Sequence, residues 1–297
     1  MGITRVGVLG CGLMGSGIAQ GCAQSGFETA VLEVSQERVD KGFATIDRFL
    51  KRGVERGKIS GEVRETTLAK LRGTTRAEDL ADCDLIVEAV IENLGAKRDI
   101  LQQLDGLCKK DAIFASNTSS LSITELAALT KRPERFIGLH FFNPVPLMNL
   151  VEVVRTIMTD ASVLKDALDF VARLGKVATQ TTDRTGFIVN RLLVPYILDA
   201  VRALEEGVGS IRDIDQAMKL GCGYPMGPFT LLDLVGLDTT HHIANVFFEE
   251  FRQPRFASPP LLKRMVLAGF HGRKSGKGFY DYSGEKPVAN DFLVGGV

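Results

Sequence analysis

The chain has 297 residues, room for about two domains, and its 45% hydrophobic content matches a globular protein that buries a full core. Lys plus Arg equal Asp plus Glu at 36 each, with a pI near 6.9, so no global charge draws the protein to nucleic acid or to an anionic membrane. Five scattered cysteines without a Cys-x-x-Cys pair or Cys/His ligand spacing exclude a disulfide framework and give no metal site.

The N-terminus runs straight into a strand, with no charged start and apolar stretch of a leader, and no apolar run spans a bilayer. The expectation is a cytoplasmic protein with reduced thiols, no membrane contact and no module fused ahead of the first strand.

Taken in chain order, Val6-Gly7-Val8-Leu9 is a short apolar strand ending in glycines, followed by a helix over about 14–25. A second strand at Thr29-Ala30-Val31-Leu32 precedes an amphipathic helix over about 36–52. Asp84 to Ala89 reads as a strand, with a helix to about Cys108. Ala112 to Ala115 and Phe136 to Leu139 read as further strands. Apolar strands alternating with helices predict a Rossmann-type α/β domain, a mostly parallel, doubly wound sheet covered on both faces.

Near residue 183 the pattern changes. Phe187, Ile188, Leu192, Leu193, Tyr196, Ile197, Ala200 and Leu204 recur at helical spacing, predicting an all-α C-terminal domain. The division is placed at 183/184, with the polar stretch Thr181 to Gly186 as linker, and Gly284 to Val297 reads as a frayed end.

Gly10-Cys11-Gly12-Leu13-Met14-Gly15 is a Gly-x-Gly-x-x-Gly loop between a strand and a helix. Gly10 permits the tight turn, Gly12 lets backbone approach a pyrophosphate, and Gly15 lets the helix pack on the strand. The N–H groups of Leu13 and Met14 open the helix and face the phosphates with the positive end of its dipole. Glu33 ends the second strand, where a carboxylate accepts hydrogen bonds from ribose hydroxyls and repels a 2′-phosphate. These features predict NAD as cofactor.

His140 stands where an apolar strand ends, the side of a parallel sheet on which ligands bind. Glu152 interrupts a β-branched run, and a carboxylate there needs a partner. A histidine held by a carboxylate is a general base near neutral pH. Taken alone, the histidine is as readily structural, and Glu152 an edge-strand carboxylate facing water.

Further motifs are Val87-Glu88-Ala89-Val90-Ile91-Glu92-Asn93, Ser116-Asn117-Thr118-Ser119-Ser120-Leu121 and Gly186-Phe187-Ile188-Val189-Asn190-Arg191. Gly227-Pro228-Phe229-Thr230-Leu231-Leu232-Asp233 and Lys274-Ser275-Gly276-Lys277-Gly278-Phe279-Tyr280 follow. With the glycine loop and the His140 to Glu152 segment, in this order and over about residues 7–282, they resemble the 3-hydroxyacyl-CoA dehydrogenase family, close to its stand-alone bacterial 3-hydroxybutyryl-CoA members. One departure stands out: Thr185 occupies a place where the family usually has proline, which bears on linker stiffness.

The resemblance implies an oxidoreductase that transfers hydride from C3 of an (S)-3-hydroxyacyl-CoA to NAD, giving a 3-ketoacyl-CoA. It implies His140 as base, Glu152 as its orienting carboxylate, and Ser119 and Asn190 on the substrate oxygen atoms. Glu92, Lys97, Asn143 and Lys274 match positions that contact the dinucleotide. Arg56 and Lys58, with Lys51 and Arg52, fall near the CoA phosphates, although a charge run is also an ordinary solvated face.

A homodimer through the second domain is implied, and the apolar stretches Leu192 to Leu204 and Phe229 to Leu237 exceed what so small a domain is expected to bury alone. Because Asn190 and Lys274 follow the linker, closure about Thr181 to Gly186 is expected. Two alternatives remain: a dehydrogenase of free hydroxy acids, of the β-hydroxyacid type with a lysine base or the gulonate type, and a non-catalytic NAD-binding relative.

Overall fold

The computed structural model describes residues 2–290. The first part of the chain runs β1 (Arg5–Leu9), α1 (Leu13–Gln24), β2 (Glu28–Leu32), α2 (Gln36–Glu55), α3 (Gly61–Ala69) and β3 (Leu71–Thr74). It continues through β4 (Leu85–Glu88), α4 (Leu94–Leu107), β5 (Ile113–Ser116), α5 (Ile123–Ala128) and β6 (Phe136–Phe141), then β7 (Leu150–Arg155), α6 (Ala161–Arg173) and β8 (Val177–Thr182). These strands form one sheet in the order β3-β2-β1-β4-β5-β6-β7-β8. All neighbours are parallel except β6 and β7.

Alternation along each strand explains the two covered faces. In β4, Leu85 and Val87 join the cluster containing Ile18, Cys22 and Phe27, while Ile86 joins the opposite cluster with Leu101, Leu104 and Leu126. Serine and asparagine set the helix starts. Ser35 caps α2 through the Arg38 N–H, Asn93 caps α4 through Ala96, and Ser122 caps α5 through Glu125. The sheet is the mostly parallel, doubly wound one that the strand pattern predicts. Elements α3, β3, α5, α6 and β8 are not singled out in the sequence, although α6 carries Val163, Ala167, Phe170 and Val171 at helical spacing.

Only residues 142–149 join β6 to β7. A parallel crossover needs a dozen or more residues, so the chain reverses and β7 pairs antiparallel.

The chain divides into two compact units, one ending at Phe187 and the other beginning at Ile188. The polar linker read at Thr181 to Gly186 is partly structural. Thr181 and Thr182 pair with Val154 and Arg155 inside the sheet. The Asp183 carboxylate accepts hydrogen bonds from Ser122 Oγ and from the Ile123 and Thr124 N–H groups, at 2.7–3.0 Å, at the start of α5. The stretch is therefore held to the first unit as far as Asp183. Beyond it the chain turns through Gly186 (φ 82°) and Phe187 (φ 47°), and the buried ring of Phe187 holds a conformation unusual for a bulky residue.

The second unit contains α7 (Val189–Glu205), α8 (Ile211–Cys222), α9 (Pro228–Val235), α10 (Leu237–Phe251) and α11 (Pro260–Leu267). A two-stranded hairpin, β9 (Tyr280–Asp281) with β10 (Val288–Ala289), is added to this helical unit. The frayed end read from Gly284 is therefore ordered as far as Asn290, whose side-chain amide donates to the Gly278 carbonyl at 2.7 Å. The rest of that stretch, 291–297, lies outside the described residues.

The unit's own core takes up most of the two apolar stretches: Val194, Ile197, Leu198, Val201, Leu204, Phe229, Leu232 and Leu237 are buried together. Leu192 and Leu234 remain exposed.

Two aspartates organise the glycine-rich motifs of this unit. Asp215 accepts from the Phe229 N–H (2.8 Å), Thr230 Oγ1 (2.6 Å) and Tyr280 OH (2.9 Å). Asp233 accepts from the Phe279 N–H, Tyr280 N–H and Tyr282 OH, each at 2.9 Å. A Cβ on Gly278 would lie 2.0 Å from Asp233 Oδ1, so only glycine fits there.

Candidate active site

The glycine loop follows β1. Gly10 adopts φ 88° and donates its N–H to the Leu32 carbonyl at 2.9 Å, tying the loop to β2. A Cβ on Gly15 would stand 2.0 Å from the Gly10 carbonyl oxygen, so the third glycine sets the helix-to-loop contact. A Cβ on Gly12 would meet open space, which leaves the backbone there approachable by a ligand. Gly12 is the N-cap of α1, whose first turn, with Leu13 and Met14, holds no acidic residue.

Glu33 lies beside this loop. Its Oε1 accepts the Cys11 N–H at 2.7 Å and its Oε2 the Val34 N–H at 3.0 Å. A cavity of about 670 Å³ opens here, with Gly12, Leu13 and Glu33 in its wall and Ser35, Arg38 and Lys41 of the α2 start alongside. An open glycine backbone, a bare helix start and a fixed carboxylate fit the phosphates and ribose of a dinucleotide.

At the ends of β4 and β5 a polar cluster forms. Lys97, 1% exposed, places its Nζ 2.6 Å from Glu88 Oε1 and 3.1 Å from Glu92 Oε2. Glu88 also accepts from Ser116 Oγ at 2.5 Å and from the Val90 N–H at 2.8 Å. Thr118 Oγ1 and Ser120 Oγ both donate to Glu92. Burial works to raise the Glu92 carboxyl, but Lys97 and the two hydroxyls outweigh it and hold the group below the usual carboxylate range. Glu92 reaches solvent and Lys97 does not, so the lysine acts by holding Glu92. Glu88 was missed in the sequence, where nothing distinguishes an acid at a strand end from a solvated one.

The same cluster fixes the loop that carries Ser119. Ser116 and Thr118 are bound to the glutamates, and the Asn117 carboxamide oxygen accepts the Phe141 N–H at 2.9 Å. Ser119 itself is half-buried.

His140 and Glu152 face each other across the antiparallel β6/β7 pair. His140 Nδ1 lies 2.6 Å from Glu152 Oε2, with the imidazole 6% and the carboxylate 0% exposed. Phe142 and Phe187 flank the imidazole, with centroid separations of 4.5 and 5.4 Å. The edge-strand alternative for Glu152 is thereby removed, because the carboxylate is buried.

Other residues singled out in the sequence stand on other elements. Asn143 is exposed on the β6–β7 connection. Arg56 caps the C-terminus of α2, with Lys58 two residues on, and both are exposed. In the second unit Asn190 is in the first turn of α7, and Lys274 Nζ donates to Asp238 Oδ2 at 2.7 Å.

Residues 5–184 match the family description 3-hydroxyacyl-CoA dehydrogenase, NAD binding domain, and residues 186–282 match 3-hydroxyacyl-CoA dehydrogenase, C-terminal domain. A 3-hydroxybutyryl-CoA dehydrogenase from Bradyrhizobium diazoefficiens is 47% identical over 286 residues, 96% of this chain and 98% of its own. The solved structure of (S)-3-hydroxybutyryl-CoA dehydrogenase from Ralstonia eutropha is 43% identical, covers 95% of this chain and 100% of its own, and superposes with a TM-score of 0.92. A mitochondrial hydroxyacyl-coenzyme A dehydrogenase from Sus scrofa is 46% identical over 287 residues, covering 94% of this chain and 91% of its own.

The two domains and the dinucleotide loop define an NAD-dependent oxidoreductase. The chain belongs to the 3-hydroxyacyl-CoA dehydrogenase family.

Proposed function

We propose that the protein interconverts (S)-3-hydroxyacyl-CoA and 3-ketoacyl-CoA, with short chains such as 3-hydroxybutyryl-CoA as substrates and His140 as general base. The observation that carries this reading is the buried 2.6 Å contact between His140 Nδ1 and Glu152. With Nδ1 donating to the carboxylate, Nε2 is the nitrogen left to take the proton of a 3-hydroxyl. Glu152, held out of water, compensates the imidazolium that results. Phe142 and Phe187 restrict the ring and exclude solvent around it. NAD supplies the hydride acceptor when bound.

Ser119 and Asn190 are assigned to the substrate oxygen atoms, and Arg56 and Lys58 to the CoA phosphates. Gly10, Gly12, Leu13, Met14, Gly15, Glu33, Glu92, Asn143 and Lys274 are assigned to the dinucleotide, with Lys97 acting through Glu92. The relatives named as 3-hydroxybutyryl-CoA dehydrogenases support the acyl-CoA substrate and the short chain. A homodimer is part of the reading, supported by exposed Leu192, Leu220, Leu234 and Leu267 on the second unit. The setting is a reducing one such as the cytoplasm, consistent with five free cysteines, four of them buried.

The test is absorbance of NADH with acetoacetyl-CoA and, separately, with free acetoacetate. Turnover of the thioester, lost in His140→Ala, is expected. Preference for the free acid, or no turnover of the thioester, would overturn the reading.

A further inference from the structure

Asn143, assigned to the dinucleotide, stands on the connection 142–149, which lies outside any helix or strand. We propose that Lys176 is the positioning residue of this connection: its ammonium ties two of the connection's carbonyls to the start of β8 and so keeps Asn143 where the cofactor meets it. The inference rests on the assignment of Asn143 and deepens it, by naming a residue on other elements through which that contact is held.

Lys176 Nζ donates to the Val145 carbonyl and to the Met148 carbonyl, at 2.7 Å each. The connection makes one turn of its own, in which the Leu147 and Met148 N–H groups donate to the Pro144 carbonyl at 2.9 and 3.0 Å. The lysine bonds fall at the two ends of that turn. Val145 is two residues after Asn143, and Met148 is two residues before β7. The next residue adds a third tie, because the Val177 N–H donates to the Asn149 carbonyl at 2.7 Å. A cation donating to carbonyls makes stronger bonds than a neutral amide does.

The anchor is itself fixed. Gly175 (φ 69°) turns the chain out of α6, and the Lys176 N–H donates to the Val171 carbonyl at 3.2 Å. One residue on, Val177 begins β8 and pairs with Leu150. The lysine is half-buried, and burial holds its ammonium below the ordinary lysine range. An ammonium partly withdrawn from water depends on the acceptors it has, so the two carbonyls and the lysine hold each other.

The other side of the connection leans on the glycine-loop helix. Val145 is 2% exposed, and a Cβ on Gly17 of α1 would lie 2.8 Å from Val145 Cβ. This apolar contact sets how closely the connection approaches α1. It does not set direction, because packing is non-directional and hydrogen bonds are not. Direction comes from the two lysine bonds. Without them Val145 still fills its place in the core and β6 still pairs with β7, so the fold keeps its main supports. What loosens is the exposed part of the connection, Asn143 included. A displacement of about 1 Å in a ligand-positioning group is enough to weaken its contact severely.

The test is a double-mutant cycle on NADH binding, read by nicotinamide fluorescence with no CoA ester present. Lys176→Met keeps the stem and removes the donors, and it should raise the NADH Kd about tenfold. Lys176→Arg keeps the charge and the N–H donors and should restore most of the affinity. Asn143→Ala should weaken NADH by itself, and adding Lys176→Met to it should cost little more, because the lysine acts through the same contact. At saturating NADH, the KM for acetoacetyl-CoA should stay within about twofold in Lys176→Met, whereas general loosening of the unit would move both constants. Lys176→Gln retains one donor and decides the matter if the methionine variant does not fold; its NADH Kd should rise by a smaller factor. An unchanged NADH Kd in the position-176 variants overturns the proposal, and so do losses that multiply in the double variant. A silent Asn143→Ala would sink the assignment of Asn143 and this inference with it, a result distinct from failure at position 176 alone.

Discussion

Glu152→Gln isolates the charge of the proposed dyad. The substitution keeps the side chain's length and one oxygen for the His140 Nδ1–H, while the negative charge disappears. The contact is 2.6 Å long and fully buried, so water does not replace what is lost. A buried hydrogen bond to a charged partner contributes about 1.5–3 kcal/mol, and the imidazolium formed during proton removal depends on it most. At about 1.4 kcal/mol per factor of ten, Glu152→Gln should lower kcat about 10- to 10²-fold. His140→Ala removes the base itself and should cost about 10²- to 10⁴-fold. Because the carboxylate acts through the imidazole, the double variant should be no slower than His140→Ala alone. The assay is steady-state turnover of acetoacetyl-CoA and NADH at saturation, with melting temperature followed in parallel to separate misfolding from chemistry. Glu152→Gln within about twofold of the unmodified kcat, or losses that multiply in the double variant, would refute the reasoning.

Arg56→Ala/Lys58→Ala should raise KM for the CoA ester and leave KM for NADH unchanged; steady-state kinetics with each substrate varied checks this, and equal effects on both constants would remove the CoA assignment. Lys97→Met leaves Glu88 buried and uncompensated, so it should lower stability by about 3–5 kcal/mol in denaturant titration, and adding Glu88→Gln should recover part of the loss. Burial pushes the Asp233 carboxyl up to about 6 from 3.8, outweighing its three donors. A raised carboxyl is a stabilising contribution that is complete below about pH 4 and lost as pH climbs through 6, worth up to about 3 kcal/mol. Denaturant midpoints at pH 4.5 and 7.5, chosen at about the edges of that window, should therefore show a decline that Asp233→Asn lacks. Light scattering at about micromolar concentration should give twice the chain mass, and Leu220→Glu/Leu267→Glu should shift it toward the monomer if those exposed side chains are at the interface.

Local signals made the dinucleotide half of the site readable. The glycine loop is six consecutive residues whose three glycines each have a stated backbone role, and Glu33 directly follows the next strand. The proposed catalytic pair was readable only as residue types. Nothing in a linear sequence states that positions 140 and 152 lie opposite each other; that follows from the register of β6 and β7. Lys97 illustrates a different limit, since its burial between two glutamates depends on α4 packing over the ends of β4 and β5. The fixed half of the linker was hidden for a similar reason. Asp183 looks like a solvated loop residue until its partners at the start of α5, some 60 positions earlier, are known. The glycine-rich motifs of the second unit also read differently once folded, because they make room for Asp215 and Asp233.

The reversal between β6 and β7 explains how a sheet that is otherwise built for a nucleotide also brings a histidine against a carboxylate. In a parallel sheet, strand ends present ligand-facing side chains one strand at a time, and neighbours are separated by a crossover helix. A carboxylate on the next parallel strand has to match depth through that long connection. An antiparallel neighbour joined by a short turn matches depth through the ladder itself, residue against residue. His140 lies one position from the end of β6, so its directly opposed partner lies near the start of β7, where Glu152 stands. On the other side of β7, β8 pairs in parallel register with Thr179 opposite Glu152. A single change of strand direction thus supplies the proximity that a histidine–carboxylate pair requires. A one-residue slip in that register would turn Glu152 to the opposite face of the sheet, away from His140.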